Sequence, residues 1–176
     1  MRIARVVSAV AHPFVLAPLT IALSTGSLRW TATIAAATIL PMLFVIVWNV
    51  RRGVWSDHDV SRRDQRSGLY WVAIPLLVLA AFLLDGPRSF QRGMLAVAAS
   101  MVIGLVGNRF LKTSMHMMLG TYCAVILAQV YPWSAAISLP VLAALAWSRW
   151  RLERHTPAEI VAGVLLGAAA GLYTIL

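Results

Sequence analysis

Residues 148–159 read SRWRLERHTPAE, a polar segment that separates two strongly apolar stretches of the chain. Within it, Thr156, Pro157 and Glu159 form the pattern of a helix start, with threonine as the N-cap, proline at the first helical position and glutamate at the third. The apolar residues 158–175 that follow are numerous enough to cross a bilayer. We therefore predict a membrane-spanning helix with His155 just outside its N-terminus.

The composition of the whole chain is that of a membrane protein. Of its 176 residues, 60% are hydrophobic and 12% are charged, and the mean hydropathy is +0.79. So high an apolar fraction cannot be packed inside a soluble domain of this size. A soluble globular protein is thereby excluded.

Seven apolar stretches approach the roughly 17 to 25 residues that a helix needs to cross the bilayer core. They are residues 6–24, 32–50, 69–84, 93–106, 115–131, 133–147 and 158–175. We predict an all-α polytopic transmembrane helix bundle that forms a single domain over residues 1–176. It has seven spans, or six if one of the short stretches, 93–106 or 133–147, stops partway across.

Basic residues are distributed unevenly between the connections of these spans. With seven spans, three basic residues (Arg29, Arg88 and Arg92) fall on one face and twelve fall on the other. The crowded face carries Arg2, Arg5, Arg51, Arg52, Arg62, Arg63, Arg66, Arg109, Lys112, Arg149, Arg151 and Arg154. Because short cytoplasmic loops are rich in Lys and Arg, we expect this face to be cytoplasmic, in a bacterial inner (plasma) membrane.

A net charge of +9 in juxtamembrane loops favours lipid headgroups or phosphates as partners, not nucleic acid.

The connection after the sixth span contains the densest set of candidate functional residues. His155 follows Arg149 by six residues and precedes Glu159 by four. A helix N-terminus offers free N–H groups and the positive end of the helix dipole, so an anion such as a phosphoryl group is favoured beside His155. Glu159 has two compatible interpretations, a carboxylate that orients the ring of His155 and a helix cap.

Two further connections on the same face add polar residues. After the fourth span, Ser114 can cap the next helix, and His116 falls in its first turn. A lone interfacial histidine is an ordinary amphipathic residue, but two histidines at helix starts on one face favour a functional role. After the second span, Arg62, Arg63 and Arg66 lie within helical reach of one another. Clustered guanidinium groups suit a phosphate, although ordinary loop charge explains them equally well.

Together these connections resemble the signature of the type 2 phosphatidic acid phosphatase superfamily, the membrane lipid phosphate phosphatases. The third motif of that family, Ser-Arg, five residues, His, three residues, Asp, is matched by Ser148, Arg149 and His155, with Glu159 in place of Asp.

The other two motifs of the family are matched in part. The second, Pro-Ser-Gly-His, is matched by Ser114 and His116, with threonine and methionine at the other two positions. The first, Lys, six residues, Arg-Pro, is matched by Arg66, whereas Asp59 stands in place of the lysine and a serine in place of the proline.

The resemblance implies a lipid phosphate phosphatase that uses neither a metal nor another cofactor. His155 would attack phosphorus and form a phosphohistidine, Glu159 would hold its ring, and His116 would protonate the leaving lipid oxygen. The phosphate oxygens would be bound by Arg66, Arg149, Ser114 and Lys112, with Arg62 or Arg63 in place of the missing lysine. Phosphatidate, a polyprenyl phosphate or diphosphate, and a phosphatidylglycerophosphate-type headgroup all fit as substrates, and the oligomeric state is left open.

Other interpretations use the same residues. The partial match of the first two motifs is compatible with a catalytically inactive member that binds lipid phosphate. Asp57, Asp59 and Asp64 could hold a magnesium-bridged diphosphate, as in intramembrane prenyltransferases, but the chain has only six acidic residues and no second Asp-rich loop. His12, beside Pro13, is expected at a helix kink, where its ring bonds a freed carbonyl or lines a headgroup pocket.

Overall fold

The computed structural model describes residues 1–176, and every regular element in it is a helix. The α-helices are α1 (Arg2–Val10), α2 (Pro13–Thr25), α3 (Leu28–Ile34), α4 (Leu40–Arg51), α5 (Arg63–Leu83), α6 (Arg88–Gly107), α7 (Met115–Val130), α8 (Ala135–Arg151) and α9 (Pro157–Ile175). A π-helical segment, Ala35–Ile39, joins α3 to α4, and a 3₁₀ turn, Pro132–Ser134, precedes α8. The predicted all-α class is therefore confirmed.

The first apolar stretch is divided into two helices. α1 and α2 meet at an angle of 41°, and α2 begins with Pro13 at its first position. Nδ1 of His12 caps α2 by accepting the backbone N–H of Phe14 at 3.1 Å. The expected irregularity at His12 is present, but the ring accepts from a backbone N–H instead of bonding a freed carbonyl.

Four helical segments are long and apolar enough to cross a bilayer. They are the continuous segment Leu28–Arg51, which contains α3 and α4, together with α5, α6 and α9. The bent pair of α1 and α2 makes a fifth if it is counted as one span, whereas α7 is apolar but has only 16 residues. The count of six or seven spans therefore stays a prediction.

Helices α7 and α9 are the most extensively packed pair in the bundle. Gly163, Gly167 and Gly171 line the face of α9 that meets α7. A Cβ atom added to Gly167 would lie 2.1 Å from the carbonyl oxygen of Met118, so the two backbones can approach this closely only at glycine. α2 and α8 also pack against α7, and α6 packs against α9. The pair α7 and α9 therefore forms the centre of the bundle and sets the distance between the residues at their N-termini.

The largest cluster of buried apolar side chains includes residues of α4, α5, α6 and α7. Tyr70, Met42 and Val97 belong to it. Trp55 and Val60, from the connection after α4, are also buried in it. That connection is therefore anchored by its own apolar side chains.

The connections after α4, α6 and α8 meet at one end of the bundle. Nζ of Lys112, after α6, donates to the carbonyl oxygens of Ser61 at 3.2 Å and Arg154 at 2.7 Å, which lie in the other two connections. The backbone N–H of Ser114 also donates to the carbonyl oxygen of Glu159 at 3.0 Å. The three polar connections identified in the sequence are thus assembled into one region.

Candidate anion-binding site

Helix α9 begins with the predicted capping box. Oγ1 of Thr156, the N-cap residue, accepts the N–H of Glu159 at 3.3 Å, and Oε2 of Glu159 accepts the N–H of Thr156 at 3.1 Å. The same Oε2 lies 3.1 Å from Nδ1 of His155. Glu159 therefore makes the contacts of both interpretations, the helix cap and the ring-orienting carboxylate.

The partners of His155 determine its tautomer. Nε2 of His155 lies 3.4 Å from Nη2 of Arg66, and because a guanidinium can only donate, Nε2 is the acceptor. Nδ1 then carries the proton and donates it to Glu159. An imidazole held by a carboxylate at Nδ1, with its lone pair on Nε2, is oriented for nucleophilic attack.

The surroundings of His155 keep its ring neutral. The side chain is buried, and burial followed by the positive charges of Arg66, Arg149 and Lys112 lowers the pKa of His155 to about 2. At physiological pH the ring is therefore unprotonated at Nε2. The same positive charges favour an anion beside it.

Two buried arginines supply much of this positive charge. Arg66, in the first turn of α5, donates through Nη1 to the carbonyl oxygen of Thr113. Arg149, in the last turn of α8, is 1% exposed and donates through Nη1 to Oγ of Ser8 at 2.7 Å and to Oδ2 of Asp59 at 2.9 Å. Nε of each arginine has no hydrogen-bond partner. Unpaired guanidinium donors in a buried position suit an anionic ligand.

The start of α7 contributes two more polar atoms without partners. Ser114, the N-cap residue of α7, is completely buried, and its Oγ makes no hydrogen bond. His116, in the first helical turn, is also buried, and its Nε2 makes no hydrogen bond. The positive end of the α7 dipole lies at the same point. These atoms extend the anion-favouring region from α9 to α7.

Two cavities reach this region. The outer one, of about 380 Å³, is lined by His155, Glu159 and Lys112 among other residues. The inner one, of about 80 Å³, is lined by His116 and Arg66 together with apolar side chains. Arg66 connects the two cavities because it lines the inner one and contacts His155.

The predicted phosphate-binding residues are not all brought to this region. Arg62 is exposed and forms an ion pair with Asp64 at 3.0 Å, and Arg63 is exposed at the first position of α5. Lys112 is half-buried and lines the outer cavity beside His155. The region therefore contains Arg66, Arg149, Ser114 and Lys112, and it does not contain Arg62 or Arg63.

Two residues outside the predicted set lie within the region. Oδ1 of Asp59 lies 3.9 Å from Nε2 of His12, and both residues line the inner cavity. The rings of His12 and His116 meet edge to face, with centroids 4.8 Å apart. The sequence names Asp59 at the lysine position of the first motif and in the aspartate group of the prenyltransferase interpretation, and it names His12 as a candidate lining residue of a headgroup pocket.

His12, Asp59 and His116 form a group whose ligand-type atoms lie within 4.8 Å of one another, as in a metal site. The chemistry of the group does not fit a cation. Nδ1 of His12 accepts a backbone N–H, so Nε2 carries the proton and has no lone pair for a metal. Asp59 is already paired with Arg149, and Arg66 lines the same cavity. With Arg66 and Arg149 beside the group, the positive charges outnumber the one carboxylate, and an anion fits this place better than a metal ion.

The three aspartates of the prenyltransferase interpretation have different partners. Oδ1 of Asp57 accepts the backbone N–H groups of Asp59 and Ser61 within its own loop. Asp59 turns inward, whereas Asp64 is exposed and pairs with Arg62. Their arrangement does not favour a magnesium-bridged diphosphate site.

The fold and the site define an all-helical protein with helices of membrane-spanning length and a buried, positively charged pocket that contains histidines. Comparison of the chain with protein-family models, curated proteins and solved structures gives no match.

Proposed function

We propose that the chain is a metal-independent phosphatase that acts on membrane lipids with a terminal phosphate or diphosphate. The observation that carries this proposal is the state of His155, which is buried and neutral, bonded to Glu159 through Nδ1, and has its Nε2 lone pair beside Arg66. This arrangement favours a nucleophile. The resemblance of the surrounding sequence to the third motif of the type 2 phosphatidic acid phosphatase superfamily supports the same reaction.

In the proposed reaction, Nε2 of His155 attacks phosphorus, and the bond between phosphorus and the lipid oxygen breaks. Glu159 stabilises the positive charge that develops on the ring. His116, protonated when the substrate phosphate is bound beside it, gives this proton to the leaving lipid oxygen. Water then attacks the phosphohistidine, returns a proton to His116 and releases inorganic phosphate. Arg66 and Arg149 offset the negative charge on the non-bridging oxygens.

A lipid substrate accounts for the two kinds of surface in the inner cavity. Polar side chains such as Arg66 and His116 line one part of it, and apolar side chains such as Phe14, Met42 and Ile46 line another. A phosphate headgroup with an apolar tail matches both. We further propose that the chain crosses a bacterial inner membrane six or seven times, with the site facing the cytoplasm, because the basic connections lie at the end of the bundle that carries the site.

The test is phosphate release by the purified protein in detergent, with EDTA present, from phosphatidate, phosphatidylglycerophosphate, a polyprenyl phosphate and a polyprenyl diphosphate. We expect turnover of at least one substrate, unaffected by EDTA and abolished in His155→Ala. Brief incubation of the parent with labelled substrate should also give an acid-labile, base-stable phosphoprotein that His155→Ala does not form. Thermal unfolding of the variant checks that it is folded.

Two results would contradict the proposal. Turnover of His155→Ala within about tenfold of the parent rejects the covalent role, since loss of a nucleophile normally removes several orders of magnitude of rate. Turnover that EDTA removes from the parent rejects a metal-independent reaction.

A second candidate function is favoured by the ion pair between Asp59 and Arg149. If this pair is permanent, the chain binds lipid phosphate without hydrolysing it. Saturable binding of short-chain phosphatidate, with no phosphate release by the parent from any lipid in the panel, would identify this function.

A further inference from the structure

The carboxylate of Asp59 lies within the candidate site and contacts its residues. Its Oδ2 accepts a hydrogen bond from Nη1 of Arg149 at 2.9 Å, and its Oδ1 lies 3.9 Å from Nε2 of His12. Asp59 also lines the inner cavity together with Arg66 and His116. An anion that belongs to the protein therefore contacts one of the two buried guanidinium groups that phosphate binding requires.

The connection after α4 holds Asp59 in this position. Oδ1 of Asp57 accepts the backbone N–H of Asp59 at 2.9 Å and that of Ser61 at 3.3 Å. Val60 is completely buried and has a φ of 45°, a left-handed conformation that is rare for a β-branched residue. Such strain persists only where the surrounding structure imposes it, and it is common at functional sites. The loop therefore directs Asp59 inward despite local backbone strain.

Asp59 is ionised at physiological pH. Burial raises the pKa of Asp59. The charge of Arg149 and the hydrogen bond from it, with smaller contributions from His12 and Arg154, together outweigh this effect, so the pKa of Asp59 lies below its usual value. Arg149 therefore has a partner with a single negative charge.

We propose that Asp59 is a specificity-determining residue that gives access to Arg149 only to phosphates with more negative charge than a carboxylate. This inference rests on the proposed lipid phosphatase function. A phosphomonoester carries about −1.5 to −2 at pH 7, and a phosphodiester headgroup carries a single charge. A monoester or diphosphate can displace Asp59 because it binds the guanidinium more strongly. A diester exchanges one singly charged partner for another and gains nothing.

Asp59 would also decide whether the lipids that surround the protein can occupy the site. Phosphodiester lipids make up the bulk of a membrane, and an open guanidinium pocket within reach of their headgroups would be occupied by them. The carboxylate of Asp59 opposes this because it already occupies Nη1 of Arg149 and offsets the charge of the guanidinium. Substrate phosphates of higher charge then compete with Asp59 and not with the whole bilayer.

The test uses Asp59→Asn, which keeps the shape of the side chain and removes its charge. The matched control is Asp64→Asn, the same change at an exposed residue of α5 outside the site. Binding of inorganic phosphate to the protein in detergent is measured by calorimetry. We expect the dissociation constant to fall by about tenfold or more in Asp59→Asn and to stay at the parent value in Asp64→Asn.

A kinetic measurement separates specificity from structure. For Asp59→Asn, adding phosphatidylglycerol, a phosphodiester lipid, to the micelles should raise the KM for a phosphomonoester lipid above its value in micelles without it. The kcat of the variant should be the same in the two kinds of micelle. The KM of the parent should not respond. A loss of kcat in Asp59→Asn, with phosphate bound no more tightly than by the parent, would overturn the inference and make Asp59 a structural partner of Arg149.

Hydrogen exchange of the parent tests the same inference if Asp59→Asn does not fold. When inorganic phosphate displaces Asp59, exchange should increase in residues 56–61 and decrease at the start of α7. Protection of both segments by phosphate overturns the inference.

If no lipid is hydrolysed but Asp59→Asn binds phosphate more tightly, the proposed function fails while the competition at Arg149 is supported. If the parent hydrolyses lipid phosphate and Asp59→Asn binds phosphate no more tightly, only the inference about Asp59 fails.

Discussion

Oε2 of Glu159 receives two N–H donors, the backbone of Thr156 and Nδ1 of His155, each at 3.1 Å. The first contact caps α9 and contributes to stability. The second fixes the tautomer of His155 and, in the proposed reaction, stabilises its positive charge. Glutamine retains an acceptor oxygen but carries no charge, so Glu159→Gln separates the two roles.

We expect Glu159→Gln to lower lipid phosphate hydrolysis by about two orders of magnitude or more, because the charge that stabilises the imidazolium is lost. The thermal unfolding midpoint should change little, since an amide oxygen also serves in a capping box. Phosphate release and thermal unfolding are measured on the same preparation. The control is Glu159→Ala, which removes the cap and should lower the free energy of unfolding by about 1 kcal/mol.

Glu159→Asp completes this series because aspartate is the residue of the resembled family at this position. Activity at or above the parent level is expected if the family mechanism applies. Loss of activity in the aspartate variant, with the glutamine variant unaffected, would contradict the orienting role of Glu159.

At the residue scale, the predictable part of the site is the part encoded by local spacing. Glu159 caps α9 as its position after Thr156 predicts, because a capping box needs only residues one turn apart. Arg62 and Arg66 are close in sequence but diverge in the structure, since Arg62 precedes α5 and Arg66 faces inward from its first turn. The sequence names Asp59 only for other roles, and its contact with Arg149 is not predictable because it spans 90 residues and no local pattern encodes such a pair.

The packing of α7 on α9 determines whether the two candidate catalytic histidines lie close enough to act together. His116 lies in the first turn of α7, and His155 directly precedes the capped start of α9. The glycine face of α9 lets its backbone approach α7, and a Cβ on Gly163 would lie 2.5 Å from the carbonyl oxygen of Ser114. A change in this spacing should therefore affect activity as well as stability.

We expect Gly167→Ala to destabilise the protein by about 1–3 kcal/mol, as overpacking of a tight interface does. The added Cβ atom would lie 2.1 Å from the carbonyl oxygen of Met118, so one backbone must move. Hydrolysis should fall as well, because the N-termini of α7 and α9 separate. Thermal unfolding in detergent and phosphate release measure the two effects.

Gly107→Ala is the matched control for Gly167→Ala. Gly107 ends α6, and a Cβ atom there meets nothing within 4 Å. The substitution should leave stability unchanged or raise it slightly, since alanine is the better helix former. Equal destabilisation by the two substitutions would show that the contact between α9 and α7 is not the cause.

At the element scale, the length of an apolar stretch predicts where a helix forms. It does not predict where that helix is divided or changes its hydrogen-bond pattern. Each of the seven apolar stretches is helical in whole or in large part, because a run of apolar side chains leaves the backbone to satisfy its own hydrogen bonds. The division between α1 and α2 depends on His12 as a side-chain cap. The π-helical segment Ala35–Ile39 has no distinctive composition, so hydropathy gives no signal for it.

On the scale of the whole molecule, the site lies where the connections after α4, α6 and α8 meet, and the sequence predicts that most of the basic residues lie at this end. Helix α5 starts there at Arg63, and α6 starts at the opposite end with Arg88. The short connection between α5 and α6 therefore lies away from the site. Residues 84–87 contain no Lys or Arg, and Arg88 and Arg92 lie in the first turns of α6. By the charge rule, the end that carries the site should be cytoplasmic.

Single reporter cysteines test this orientation in a Cys123→Ala background, since Cys123 is the one cysteine of the chain and is buried. Val54→Cys lies in the exposed connection after α4, and Ser89→Cys lies at the exposed start of α6. In intact cells, a membrane-impermeant thiol reagent should label Ser89→Cys and leave Val54→Cys unlabelled until lysis. The opposite pattern would place the site outside the cell, where substrates would be lipids of the outer leaflet. Labelling of both variants in intact cells would contradict a bundle that separates the two ends across the membrane.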